Sequence, residues 1–183
     1  MSIVTFWSNG REQTGKTLSI AAITTHMAIE HNYKILVIST AYKEDTLDRC
    51  FWEERKIKRK LGLFGRNTSI AMEEGIVGLI KIMNSNKLSP ENITNYTKII
   101  FKDRLEILPS FKGEITEYKE LVKYYPDIIN LANNYYDLVF VDLDMNMDKE
   151  VSDIILANSN LVVANLSQRL KSINKFMEIR EEI

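Results

Sequence analysis

Eight residues near the start, Gly10-Arg11-Glu12-Gln13-Thr14-Gly15-Lys16-Thr17, constrain this chain more than any other feature. They follow a short β-rich run, Ile3 to Trp7, and lead directly into Leu18 to His31, where alanine and isoleucine recur at helical spacing. Strand, glycine-bounded loop and helix make one β-loop-α unit. Phosphate oxygens need several donors at short range, and a glycine-containing turn entering a helix N-terminus presents backbone N–H groups within a favourable dipole. In this pattern Gly10 and Gly15 permit the backbone path, Lys16 reaches the β and γ phosphates, and the Thr17 hydroxyl ligates Mg²⁺. The expected nucleotide-binding set is Gly10, Arg11, Gln13, Thr14, Gly15, Lys16, Thr17 and Leu18. A chance match in an ordinary turn is the alternative, and the flanking strand and helix argue against it.

The rest of the chain repeats the alternation. Lys34 to Thr40 (KILVIST), Leu138 to Asp142 (LVFVD) and Leu161 to Leu166 (LVVANL) are continuous apolar runs, as expected of strands covered on both faces, and Leu105 to Leu108 is a shorter candidate. Helical patterns cover Met72 to Met83, Glu117 to Tyr136 with an early break near Pro126, Lys149 to Ala157, and Gln168 to Glu182. Such alternation predicts an α/β fold, a doubly wound, mainly parallel sheet flanked by helices. At 183 residues and 45% hydrophobic, the chain suits one P-loop nucleotide-binding domain with a substantial core. The 24 basic residues nearly balance the 25 acidic ones, so any surface for nucleic acid or anionic lipid must be local. One cysteine, Cys50, excludes an internal disulfide, and no cysteines are paired at metal-binding spacing. No basic leader with a cleavage site opens the sequence, and no stretch reaches the roughly 18 apolar residues of a membrane span, so the expected location is cytoplasmic.

Asp142 closes the LVFVD run, where the carboxyl ends of sheet strands place ligands, and a carboxylate there can hold Mg²⁺ beside Thr17. Asp144 follows two residues on and is read first as a turn or cap aspartate, with metal assistance as its alternative. The segment Arg49 to Arg66 carries seven basic residues against Glu53 and Glu54, with Phe51, Trp52 and Phe64 interleaved. It reads as a solvated helix with its aromatics facing the core, DNA or another phosphate backbone and anionic lipid being the alternatives. His26 and His31 have no metal-like partners and read as structural or exposed; Met72, Met83 and Met177 read as core fillers.

In order, IVTFWSNGREQTGKTLSIAAITTHMAIEHNYKILVIST, GIVGLIKIM, RLEILPSF, YDLVFVDLD and SNLVVANLSQ resemble the ParA/MinD family of P-loop ATPases, including its TadZ/CpaE-like branch and the related bacterial tyrosine kinases. The resemblance spans nearly the whole chain. The family's deviant loop reads G-K-G-G-x-G-K-T, and gapless matching puts Arg11 at its signature lysine and Glu12 and Gln13 at its two glycines. The resemblance implies ATP and Mg²⁺ as ligands and a homodimer in which Arg11 reaches across to the partner's nucleotide. It makes Lys16 and Arg11 the catalytic candidates and Thr17 and Asp142 the metal ligands. It also implies a protein partner, in a switch that positions DNA or a protein assembly.

Two departures bear on chemistry. The family's D-x-D after the second strand, whose second carboxylate helps position the attacking water, corresponds here to Ser39-Thr40-Ala41. The glycine that often follows the metal-binding aspartate is missing from Leu143-Asp144-Met145-Asn146-Met147. Hydrolysis is expected to be slow. Asp45 and Asp48 are candidate substitutes, each read first as a helix start. Relative to the family pattern the chain stops after its last helix, which implies a fragment or a shortened variant. That helix carries Leu170, Ile173, Phe176 or Met177, and Ile183 on one face, expected to dock on the sheet, since Glu178, Glu181 and Glu182 would repel an anionic membrane. A dimerising switch ranks first. A nonhydrolysing nucleotide-binding scaffold comes second, and a tyrosine kinase, whose C-terminal tyrosine cluster has no counterpart after Tyr136, third.

Overall fold

A computed structural model describes residues 1–10, 14–43, 46–51, 75–85 and 89–180. Six strands, β1 (Ser2–Ser8), β2 (Ile35–Ser39), β3 (Lys98–Phe101), β4 (Leu105–Leu108), β5 (Leu138–Asp142) and β6 (Leu161–Asn165), form one sheet in the order β3-β4-β2-β5-β1-β6. All pairs are parallel except β3 with β4. Helices α1 (Lys16–Glu30), α2 (Thr46–Phe51), α3 (Ile76–Asn84), α4 (Ile115–Leu121), α5 (Tyr125–Asn133), α6 (Lys149–Ala157) and α7 (Leu170–Ile179) flank it. This is the doubly wound, mainly parallel architecture expected from the alternation of apolar runs and helical patterns. Among the described residues no helix is long and apolar enough to cross a membrane.

The central strands are buried on both faces, which is why they read as unbroken apolar runs. From β5, Val139 and Val141 join a core with Leu36, Ile38, Leu79, Tyr125 and Ile128, while Phe140 turns to the other face with Phe6, Ile20, Val37 and Ile107. Alternation along each strand thus feeds two cores from one sequence.

Differences from expectation have local causes. Strand β3 has no counterpart among the expected strands because it is short and lies at the sheet edge, with alternating exposure, so it lacks the apolar signature of its neighbours. A weaker signal is nonetheless present, as KIIF and LEIL flank Lys102-Asp103-Arg104, and Asp103 adopts φ 61 in the hairpin turn. The helical stretch before β5 divides in two: α4 opens with a Glu114–Glu117 capping box, a single turn of 3₁₀ helix covers Val122–Tyr124, and α5 carries Pro126 in its first turn, where proline costs no hydrogen bond. Lys149–Ala157 is helical as expected, its start fixed by Asp148, whose Oδ1 accepts the Glu150 and Val151 N–H groups.

One buried polar cluster ties the edge of the sheet together. Glu106 is buried mid-strand in β4, and its Oε2 accepts the Tyr136 hydroxyl at 2.7 Å and the Thr97 hydroxyl. Burial first, and then its bond to Glu106, hold the Tyr136 phenol well above its ordinary range, so it remains a donor. Tyr136→Phe removes a donor from a buried carboxylate and should cost about 1.5–3 kcal/mol. The urea midpoint reads this loss, and an unchanged midpoint would contradict the role given to the Tyr136 hydroxyl.

Candidate functional site

The site lies at the carboxyl edge of the sheet, and strand order explains why. Asp142, the last residue of β5, pairs in register with Phe6 of β1 on one side and Ser39 of β2 on the other. The exit of β1 leads to the phosphate-type loop, and the exit of β2 leads to Thr40 and Ala41. Three chain exits therefore converge around one carboxylate.

The beginning of the loop is anchored. Asn9, buried at the end of β1, donates through Nδ2 to the Ser172 carbonyl at 2.6 Å and accepts the Ser172 hydroxyl on Oδ1 at 2.9 Å, while Lys175 donates to its backbone oxygen at 3.2 Å. Phe176 lies against Trp7, with ring centroids 6.2 Å apart. Thus α7 clamps the residue that precedes Gly10. The loop ends at Gly15, whose φ of 73° lies in the left-handed region, and α1 begins immediately after it. A Cβ on Gly15 would meet none of the described residues within 4 Å, and it is the dihedral angle that calls for glycine there. Among the described residues no side chain caps α1 and no acidic residue occupies its first turn, so its N-terminal donors and dipole are directed at the cleft.

Two side chains of that first turn converge on β5. The Lys16 ammonium stands 2.9 Å from Asp142 Oδ1 and donates to the Leu143 carbonyl, and the Thr17 hydroxyl donates to Asp142 Oδ2 at 2.7 Å. Asp142 Oδ1 is buried, and among the described residues its partner is the Lys16 ammonium. Around them opens a cleft of about 600 Å³ lined also by Gly10, Thr14, Gly15, Leu18, Ser39 and Ala41. Hydroxyl and carboxylate oxygens side by side suit a hard cation such as Mg²⁺ completed by phosphate and water. Among the described residues no group of three His, Cys, Asp or Glu side chains gathers as a metal site of its own.

The structure thus brings together Lys16, Thr17 and Asp142 and lines their cleft with Gly10, Thr14, Gly15 and Leu18, whereas Arg11, Glu12 and Gln13 lie outside the described residues. So do Asp45, Met72, Glu181, Glu182, Ile183 and the basic segment from Trp52 onward. Asp144 takes the turn reading, its Oδ1 accepting Asn146 N–H at 2.9 Å and Nδ2 at 3.0 Å. Asp48 sits in the first turn of α2, in keeping with the helix-start reading, and its carboxylate pairs with Lys98 at 2.9 Å and Lys112 at 3.6 Å. The last helix departs from expectation, because among the described residues of its expected docking face only Phe176 turns inward. Leu170, Ile173 and Met177 are exposed, which removes Met177 from the core, whereas Met83 does pack against it. Both histidines are exposed as expected. Cys50 is exposed, with its thiol pushed up by desolvation and, secondarily, by the charge of Asp142.

No protein-family model and no curated protein sequence matches the chain. Solved structures do match. A ParA family ATPase from Chlorobium tepidum superimposes with TM-score 0.66 at 16% identity, covering 100% of this chain and 68% of that one. The septum site-determining protein MinD of Pyrococcus horikoshii, complexed with Mg-ADP, gives TM-score 0.58 at 10% identity over 99% of this chain and 64% of its own. The kinase domain of the Escherichia coli tyrosine kinase ETK gives 0.65 at 14%, over 99% and 62%. The chain therefore spans 62 to 68% of the length of these structures. What they share with it is the fold, that of the ParA and MinD ATPases.

Proposed function

We propose that this chain binds ATP with Mg²⁺ and acts as an ATP-dependent dimerising switch of ParA/MinD type, with slow hydrolysis, that positions DNA or a protein assembly. The observation that carries the reading is the convergence of Lys16, Thr17 and Asp142 at the N-terminus of α1. The Mg-ADP of the Pyrococcus horikoshii MinD complex supports the choice of ligand.

Each residue then has a definable task. The backbone from Gly15 into the first turn of α1 supplies N–H donors to phosphate oxygens. The Lys16 ammonium, which faces Asp142 and the Leu143 carbonyl, is placed to meet phosphate oxygens of a bound nucleotide. Asp142 and Thr17 would serve as the metal-holding pair, and Mg²⁺ held there would neutralise charge on the phosphates.

A homodimer follows from the position assigned to Arg11, a guanidinium well suited to clamp phosphate across an interface. Mg-ATP should raise the dimer fraction in sedimentation at fixed protein concentration, and Arg11→Ala should lower it. A wild-type protein equally monomeric with and without Mg-ATP would refute the trans role. The second reading, a nucleotide-binding scaffold without turnover, is favoured by Ala41, which lines the cleft at the β2 exit and offers no group to orient water.

A further inference from the structure

The most connected residue at the β2 exit has no role in the reading above. Thr40 is fully buried one position beyond Ser39. Its N–H donates to the Asp142 carbonyl at 3.2 Å and its hydroxyl donates to the same oxygen at 3.1 Å. The hydroxyl oxygen also accepts the Asp144 N–H at 2.8 Å, and the Thr40 carbonyl accepts the Tyr118 hydroxyl at 2.7 Å. The Tyr118 phenol is held above its ordinary range, by burial first and by the charge of Asp144 second, so it remains a donor.

One hydroxyl therefore brackets Leu143, holding the carbonyl before it and the amide after it. On the opposite side, Leu143 N–H donates to the Phe6 carbonyl at 3.1 Å. With both flanks fixed, the remaining backbone group, the Leu143 carbonyl, points at Lys16, and the Asp142 side chain is presented to Lys16 and Thr17. Threonine suits the task because a buried side chain here must donate to one backbone group and accept from another, and a hydroxyl does both.

We propose that Thr40 is a positioning residue for the phosphate and metal site, setting the orientation of the Asp142 carboxylate through the backbone of residues 142 to 144, with Tyr118 holding Thr40 in turn. The assignment rests on the reading of the cleft as an Mg-ATP site. Its consequence is specific: losing the hydroxyl lets the Asp142 backbone shift and weakens metal-dependent binding, while phosphate contacts made by the loop and Lys16 persist.

The test compares ATP dissociation constants with Mg²⁺ and with EDTA, for wild type, Thr40→Val, Thr40→Ser and Tyr118→Phe. Groups that orient metal ligands are typically worth about 10- to 100-fold in metal affinity. Thr40→Val should accordingly reduce the Mg²⁺ enhancement of ATP affinity about tenfold or more. Affinity in EDTA should change far less, and Thr40→Ser should restore the enhancement. A general loss of stability would move both conditions together and would not be rescued by serine. Tyr118→Phe leaves the Thr40 hydroxyl in place and should reduce the enhancement by a smaller factor; it carries the test alone if Thr40→Val does not fold. Wild-type enhancement in Thr40→Val, or in Tyr118→Phe where that variant stands alone, would overturn the positioning role while leaving the nucleotide site intact. Absence of any ATP binding by wild type would overturn both.

Discussion

Purified protein under saturating Mg-ATP, without partners, should release phosphate at a rate close to the limit of detection, and Ala41→Asp should raise that rate. Loss of a positioned general base typically removes about 10²- to 10⁴-fold in rate while leaving binding intact. Two acidic residues line the cleft among the described residues. Asp142 faces Lys16 and Thr17, and Asp144 Oδ1 is occupied by Asn146. Asp48 is engaged by Lys98. Ala41 lines the cleft from the β2 exit, so a carboxylate introduced there would enter the same space. Phosphoryl transfer needs charge stabilisation, which Lys16 and the metal-holding pair can supply, and a positioned nucleophile, which the described lining residues do not. Rapid turnover by the wild type would contradict this, and would make Asp144, Asp45 or Asp48 the group to replace next.

Mg-ATP should raise the melting temperature of the wild type but not of Lys16→Ala. At a ligand concentration a hundred times the dissociation constant, linkage contributes about 2.7 kcal/mol, worth roughly 5–10 °C in a chain of this size. The lysine variant needs its own baseline. Removing Lys16 takes from the buried Asp142 the cation that faces it, and breaking such a pair typically costs about 3–5 kcal/mol, so the variant without nucleotide should already melt lower. The quantity to compare is the shift on adding Mg-ATP, not the absolute temperature. Equal shifts in the two proteins would remove Lys16 from the account.

The elements of the site were legible where chemistry is local. Gly15 before Lys16-Thr17 announced a left-handed turn into a helix, and LVFVD announced a buried strand with its acid at the exit; the first depends on one dihedral angle, the second on burial of both sheet faces. What joins them was not legible, because it depends on contacts distant in sequence. Tyr118 reaches Thr40 across 78 positions, and Asp144 reaches it across 104. Asp48 was legible as a helix-start residue, but its ion pair was not, since Lys98 arrives from a hairpin that carried only a weak strand signal. The last helix misled. Its apolar spacing predicts a buried face, yet its attachment runs through Ser172, Lys175 and Phe176 to the end of β1, leaving Leu170, Ile173 and Met177 exposed.

The most direct measurement is equilibrium dialysis of labelled ATP against wild type and Lys16→Ala, in Mg²⁺ and in EDTA. The account predicts saturable binding of one ATP per chain, tighter in Mg²⁺ than in EDTA, and abolished or strongly weakened by Lys16→Ala. Absence of saturable binding to the wild type, or equal affinity in the two proteins, would contradict it.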